Sequence, residues 1–355
     1  MACSKLGQLP LHVGTDCTGL GSIFLALKKL GVHAHHRFSS EVDAHARLQA
    51  NSIAPADILH HDMRLKDVQS LPKVDIYIAG FPCQPFSSAG LREGFHAKDG
   101  SGVLFFICIR YIRAKQPTVF ILENVQGLES SNAGECFDEV LRALWSLMDY
   151  NIYWELLNTK HHGIPQNRAR YYFIGILREV DRGTFCFPAR ATMPALELFL
   201  DSRHGRPSWA DLPPLTSSVA RQNVLTLLHA AQDVDSDPFS EAWCIDCDSS
   251  SGRSSAMLNC SPCITRSRAA GHWISNRGRR FSMKEMMRLQ GVDDSLQVVV
   301  SEIHFRRLLG NSMSINVLER IMCSLLPAAG LWPQDALIDR YAVSEPPPAK
   351  RQRGG

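Results

Sequence analysis

Apolar residues recur along the first half of the chain in two alternating periods. Leu11–Cys17 has strand character, and beyond it Ile23, Leu27 and Leu30 fall on one helical face. Val74–Ala79 predicts the next clear strand, and Val103–Ile112 a strongly apolar helix. Thr118–Leu122 reads as a strand, Cys136–Met148 as a helix and Tyr171–Leu177 as a further strand. Strands and helices taking turns predict an α/β fold, a largely parallel sheet with helices on both faces. Sheets of this kind bind ligands at the carboxyl ends of their strands.

The pattern degrades after Arg178. Pro188, Pro194, Pro207, Pro213 and Pro214 punctuate a region of little periodicity that continues to about Arg280. It reads as a second, smaller and loop-rich domain. Helical signal returns at Ser282–Gln290 and around Ile315–Leu326, and no internal repeat is evident.

Composition changes this picture little. With 355 residues, 45% hydrophobic and 21% charged, the chain suits one large core, or one large and one small domain. No apolar run approaches the roughly 18 residues of a membrane helix, and the first residues lack a signal-peptide core, so neither membrane nor secretion is expected. Eleven cysteines, spread along the chain, read mainly as free thiols. Net charge is only +3, but its distribution is uneven. Asp233–Asp248 holds six acids and no base, whereas Ser249–Lys284 holds six arginines, one lysine and no acid. That stretch is either a solvated face beside an acidic neighbour or a local anion-binding surface. The end of the chain is Pro-rich and then basic at Lys350–Arg353. It reads as a disordered tail with a weak nuclear-import signal; without that signal a cytoplasmic enzyme would look the same.

Candidate chemistry clusters at the strand ends. After the first strand comes "DCTGLGS", Asp16–Ser22. Gly19 and Gly21 let the backbone turn tightly, but Phe24 stands where a dinucleotide fingerprint wants a third glycine, favouring a nucleoside ligand without a pyrophosphate. Glu41 lies 22 residues beyond Gly19, where an acid binds ribose hydroxyls. Asp62, in "HHDMR", is a candidate reader of an adenine amino group. In "GFPCQPFSSAG", Gly80–Gly90, prolines frame Cys83 as a nucleophile held in one geometry. Glu123, in "ENV", suits proton donation to a heterocycle, and burial would raise its pKa. Arg168 and Arg170, in "QNRAR", are two apart and could face one crevice to hold a carbonyl or phosphate. The three histidine groups, His33/His35/His36, His60/His61 and His161/His162, lack supporting ligands at metal spacing and read as structural.

Together "DCTGLG", "GFPCQPFS", "ENV", "QNRAR", "RFSMKEMMRLQG" and "GNSMSINV" resemble the S-adenosylmethionine-dependent cytosine-5 DNA methyltransferase family, from about Leu11 to Leu326. The resemblance implies a Rossmann-like class I methyltransferase sheet over residues 8–178, completed by 304–328. It also implies a smaller, loop-rich target-recognition domain over 179–303, and the residues beyond it and the completing segment, 329–355, are those read above as a disordered tail. The implied activity is methyl transfer to carbon 5 of cytosine in double-stranded DNA, by a monomer. Cys83 would add to carbon 6 of a flipped-out base, Glu123 would assist at nitrogen 3, Arg170 would contact the base carbonyl and Arg168 would orient the site. At the cofactor the resemblance places Thr18, Gly19, Leu20, Gly21, Glu41, Val42, Asp62, Pro82, Leu104, Asn311 and Ser312. Two departures stand out: Cys17 replaces a usual aromatic beside the adenosine, and an arginine common near Ser101 is absent. Transfer RNA is the second substrate reading, and a binding protein without turnover the third; the joint presence of Cys83, Glu123, Arg168 and Arg170 opposes the last. Cys244/Cys247 and Cys260/Cys263 form CxxC pairs twelve residues apart, a spacing that would suit zinc; but the family resemblance also accommodates a cysteine at Cys263, before "IT", so no metal is expected and the four stand only as zinc candidates.

Overall fold

The computed structural model describes residues 9–82, 103–233, 237–250 and 252–342. Cys83, Ser101 and the basic tail Lys350–Arg353 lie outside these residues.

The first half alternates as the periodicity predicts: β1 (Leu11–Asp16), α1 (Ser22–Lys29), β2 (Ala34–Ser40), α2 (Ala44–Ile53), β3 (Ile58–His60), β4 (Ile76–Ala79), α3 (Leu104–Lys115), β5 (Val119–Val125), α4 (Glu135–Trp145), β6 (Tyr150–Asn158) and β7 (Ala169–Leu177). The seven strands form one sheet in the order β3-β2-β1-β4-β5-β7-β6. The first five lie parallel, and β7 runs antiparallel to both β5 and β6.

Side chains that alternate across the sheet feed two cores. Val119 and Ile121 of β5 join one core with Leu27 of α1, and Phe120 and Leu122 join the other with Ile112 of α3 and Leu144 of α4. The first core is closed by the last helix, whose Leu318, Ile321 and Leu325 are fully buried. The fold is thus an α/β sheet covered on both faces.

Later in the chain come α5 (Ser218–Gln232), β8 (Trp243–Ile245), β9 (Ala256–Leu258), β10 (Trp273–Ile274), β11 (Arg279–Arg280), α6 (Met283–Leu289), α7 (Glu302–Asn311) and α8 (Ile315–Ala328). The region read as loop-rich therefore contains a 15-residue helix and a four-stranded sheet, β11-β10-β8-β9. Its small core joins Val224 and Leu228 of α5 to Ile245 and Trp273. The uneven charge is explained here, because Asp246 pairs with Arg268, Asp248 with Arg280 at 2.7 Å, and Glu285 with Arg279 at 2.8 Å. Most of these arginines are neutralised within the region.

The expected disordered tail needs correction over residues 329–342. Trp332 is buried, Arg320 meets Asp339 at 2.8 Å, and Arg340 meets Glu319 at 2.7 Å. Glu319 and Arg320 are buried charges on α8, and a buried charge requires a partner.

Candidate active site

The parallel strands β1 and β4 end beside one another, and the segments that follow them line a single cleft. Thr18, Gly19, Leu20, Gly21, Gly80, Glu123, Asn311, Ser312 and Met313 are among its walls. Gly19 and Gly21 have φ of 55° and 75°, the left-handed region open to glycine, so the turn after β1 depends on them. Thr18 braces this turn through Ser39 Oγ at 2.7 Å. Beneath it Asp16 is fully buried, accepts from Tyr77 Oη at 2.6 Å and pairs with the buried Lys66.

Glu41 follows β2 directly. Its carboxylate accepts from the Gly19 amide at 2.8 Å and the Asp43 amide at 2.9 Å. Both oxygens are thereby oriented while lone pairs remain for hydroxyl donors. The cleft walls include the acids Asp16 and Glu123 and, among the described residues, no lysine or arginine. Without a cation in its walls, such a lining opposes a pyrophosphate and admits a nucleoside with positive charge. S-adenosylmethionine, a sulfonium nucleoside, fits it.

Register brings the acid and one arginine together. In the β5–β7 pair Glu123 faces Tyr172, and Val125 faces Arg170. Glu123 and Arg170 are thus diagonal neighbours on one face of the sheet. Arg170 Nε lies 3.2 Å from Glu123 Oε1, although that oxygen lacks an aligned hydrogen bond. Burial pushes the Glu123 carboxyl above its usual range, and Arg170 and Arg168 oppose that rise. A buried acid biased toward its protonated form is chemically a proton donor. The neighbouring Asn124 donates to the Phe81 carbonyl at 3.3 Å, tying the end of β5 to the segment that enters "PCQP".

Arg168 is buried and has a different task. It donates to the carbonyls of Ile264 at 2.9 Å, Gly310 at 3.2 Å and Ser312 at 2.6 Å. It thereby joins β7, the loop after Cys260 and the turn between α7 and α8. That turn carries Asn311 and Ser312 into the cleft. Gly310 permits the approach, since a Cβ there would lie 2.3 Å from the Thr265 carbonyl carbon.

The remaining expected cofactor residues are not cleft walls among the described residues. Val42 is 69% exposed, Leu104 opens α3, and Pro82 is half-buried. The Asp62 carboxylate is engaged by Arg64, with Nη2–Oδ2 at 2.7 Å, and this hydrogen bonding holds its pKa below the usual carboxylate value.

The four zinc candidates are not drawn together. Among the described residues no group of three or more His, Cys, Asp or Glu is placed to hold a metal. Cys244 points into the main core and Cys247 into the small one. Cys260 Sγ turns to the Ser261 carbonyl at 3.7 Å, and Cys263 Sγ faces Arg168 and Arg170 at 3.5 and 3.7 Å. Cys244 lies in β8 and Cys247 in the turn after it, so the first pair ends in different cores, which spacing in the sequence does not reveal. Sequence reasoning also missed Lys66 and Tyr77, whose pairing with Asp16 crosses three separate segments and leaves no local signal.

A family model described as C-5 cytosine-specific DNA methylase matches residues 17–200 and 236–326. The chain is 35% identical over 316 residues to the Type II methyltransferase M.NgoBI of Neisseria gonorrhoeae, covering 87% of this chain and 92% of that one. It is 31% identical over 319 residues to the Type II methyltransferase M.NlaX of Neisseria lactamica, covering 85% and 92%. In fold it is similar to the methyltransferase EhMeth of Entamoeba histolytica, with a TM-score of 0.61 at 16% identity, covering 90% of this chain and 98% of that one. The chain therefore belongs to the C-5 cytosine-specific DNA methylase family and is a DNA cytosine-5 methyltransferase.

Proposed function

We propose that the chain methylates carbon 5 of cytosine in DNA from S-adenosylmethionine, through a covalent Cys83 adduct with a flipped-out base. The observation that carries this reading is the buried Glu123, set beside Arg170 and opening on the same cleft as the Gly19–Gly21 turn. Thr18, Gly19, Leu20, Gly21, Asn311 and Ser312 would hold the cofactor, with Glu41 accepting from its ribose hydroxyls. Val42, Pro82 and Leu104 would pack at its rim, and Asp62 would meet the adenine. When bound, S-adenosylmethionine supplies an electrophilic methyl group on a sulfonium.

Carbon 5 of cytosine is too weak a nucleophile to use that group unaided. The Cys83 thiolate forms a bond to carbon 6, and the ring's electron density shifts toward carbon 5. Glu123 gives its proton to nitrogen 3 as the ring accepts the thiolate, and Arg170 holds the base carbonyl. Once carbon 5 has taken the methyl group and the donor has left as a neutral thioether, carbon 5 would lose its proton to solvent, the carbon–sulfur bond would break with Cys83 leaving as thiolate, and nitrogen 3 would return its proton to Glu123. Flipping the base out costs about a few kcal/mol of unstacking, offset by contacts in the pocket. Arg168 acts on placement, because its three carbonyl partners fix the turn that carries Asn311 and Ser312.

The test is transfer of a labelled methyl group to unmethylated genomic DNA and to total transfer RNA, assayed side by side. Label in DNA that disappears with Cys83→Ala is the expected result. Label confined to transfer RNA moves the protein to that substrate, and label in neither, with cofactor still bound, ends the enzymatic reading.

A further inference from the structure

Cys263 takes no part in the chemistry above, yet its sulfur sits against both arginines of the site. Sγ lies 3.5 Å from Arg168 Nη1 and 3.7 Å from Arg170 Nη2. Its position is imposed by the backbone around it. The Ser261 amide donates to the Pro165 carbonyl at 2.8 Å, and the Asn167 amide to the Ser261 carbonyl at 2.8 Å. The Ile264 amide donates to Gln166 Oε1 at 3.0 Å, and Arg168 returns to the Ile264 carbonyl at 2.9 Å. The loop and the arginine segment are therefore laced together on both sides of the sulfur. Among the described residues Arg170 meets Glu123 through Nε, the Ala169 carbonyl through Nη1 at 2.7 Å, and Cys263 through Nη2.

We propose that Cys263 is a positioning residue for methyl transfer: its sulfur, wedged against both guanidiniums, fixes Arg170 and, when ionised, offsets the arginine charge acting on Glu123. The proposal rests on the reading of Glu123 as the proton donor. Two guanidiniums beside a buried carboxyl favour its ionised form, which cannot donate. A thiolate between them cancels one of the two charges and leaves Glu123 able to keep its proton. The two arginines hold the Cys263 thiol below its ordinary pKa despite its burial, and so favour that thiolate.

Among the described residues, the other ionisable neighbours do not compete for the role. Tyr172, beside Glu123 on β7, is a buried phenol that burial keeps neutral. His272 precedes β10, with Nε2 3.3 Å from the Cys263 carbonyl oxygen, and burial favours its neutral form. Beyond it, Asp246 and Arg268 pair with one another. The turn between α7 and α8 presents carbonyls to Arg168 from Gly310 and Ser312.

Two measurements on the full chain test this. The first is the pH dependence of methyl transfer to unmethylated DNA for the parent protein, Glu123→Gln and Cys263→Ser. The expected parent rate falls at high pH along a limb that Glu123→Gln removes. Cys263→Ser keeps the sulfur's approximate size but not its charge, and should move that limb down by about one pH unit, whatever the plateau loses as Arg170 loosens. A limb unmoved in Cys263→Ser but absent in Glu123→Gln overturns the proposal and leaves the function standing. A limb that survives Glu123→Gln overturns the proton-donor reading, and the proposal with it. The second measurement needs no activity and no variant: peptide-resolved alkylation of Cys263 by iodoacetamide against pH. Half-maximal rate below the ordinary thiol range of about 8.5 is expected, and a value at or above it sinks the anionic sulfur.

Discussion

At the scale of single residues, the site depends on charges placed where water is scarce. Glu123 shows the consequence most directly. Its raised pKa means that the protonated form persists above the ordinary carboxylate range and is lost as pH rises through the shifted value. Glu123→Gln keeps the shape but cannot donate a proton, and kcat should fall by about 10²–10⁴-fold in steady-state assays. Lys66 and Asp16 form a second dependence, because both side chains are wholly buried. Lys66→Met would strand the Asp16 charge and lower stability by about 3–5 kcal/mol in urea unfolding. Adding Asp16→Asn should recover much of the loss, since both ends of the pair are then neutral. Glu123 was legible in the sequence because an acid in "ENV" at a strand end is a local pattern. The Lys66 pairing was not, since nothing in "MRLKDV" marks a lysine that turns inward.

At the scale of elements, the turn between α7 and α8 is where separate segments meet. Arg168 reaches the carbonyls of Ile264, Gly310 and Ser312, and Gly310 lies against the backbone at Thr265. Gly310→Val would force that backbone apart, at a cost of about 1–3 kcal/mol for overpacking. Thermal unfolding should show a lower midpoint, and the affinity for S-adenosylmethionine should weaken because Asn311 and Ser312 move with the turn. An unchanged midpoint would mean that the helix accommodates the added side chain. Strands β1, β4, β5 and β7 and helices α1, α3 and α4 were readable because each carries its own apolar period, whereas α2 and the short β3 carry none and were not read. Helix α5 was not, because the region's prolines obscured an apolar stripe at Val224, Leu228 and Ala231. Strand β6 was missed too: at the sheet edge its residues are mostly half-buried or exposed, so no strong apolar run marks it.

At the scale of the whole molecule, the small region is held by its own helix, sheet and ion pairs. Cys244 and Cys247 enter different cores, and Cys263 belongs to the arginines. Prolonged treatment with a strong zinc chelator should therefore leave the unfolding midpoint and methyl transfer unchanged; a drop in either would restore the metal. By itself the sequence determined the layered α/β class, the glycine turn, and the identity of the proline-framed thiol, the acid and the paired arginines. These are encoded in short spans, through periodicity, backbone freedom and side-chain chemistry. Only the tertiary structure decided that Arg170 faces Glu123 while Arg168 turns to carbonyls. It alone placed Asn311 and Ser312 opposite the glycine turn, and set the charge runs against each other. Those outcomes depend on strand register and on contacts between segments distant in the chain, 32 residues apart for Asp248 and Arg280 and 144 for Arg168 and Ser312, where no local spacing carries the information.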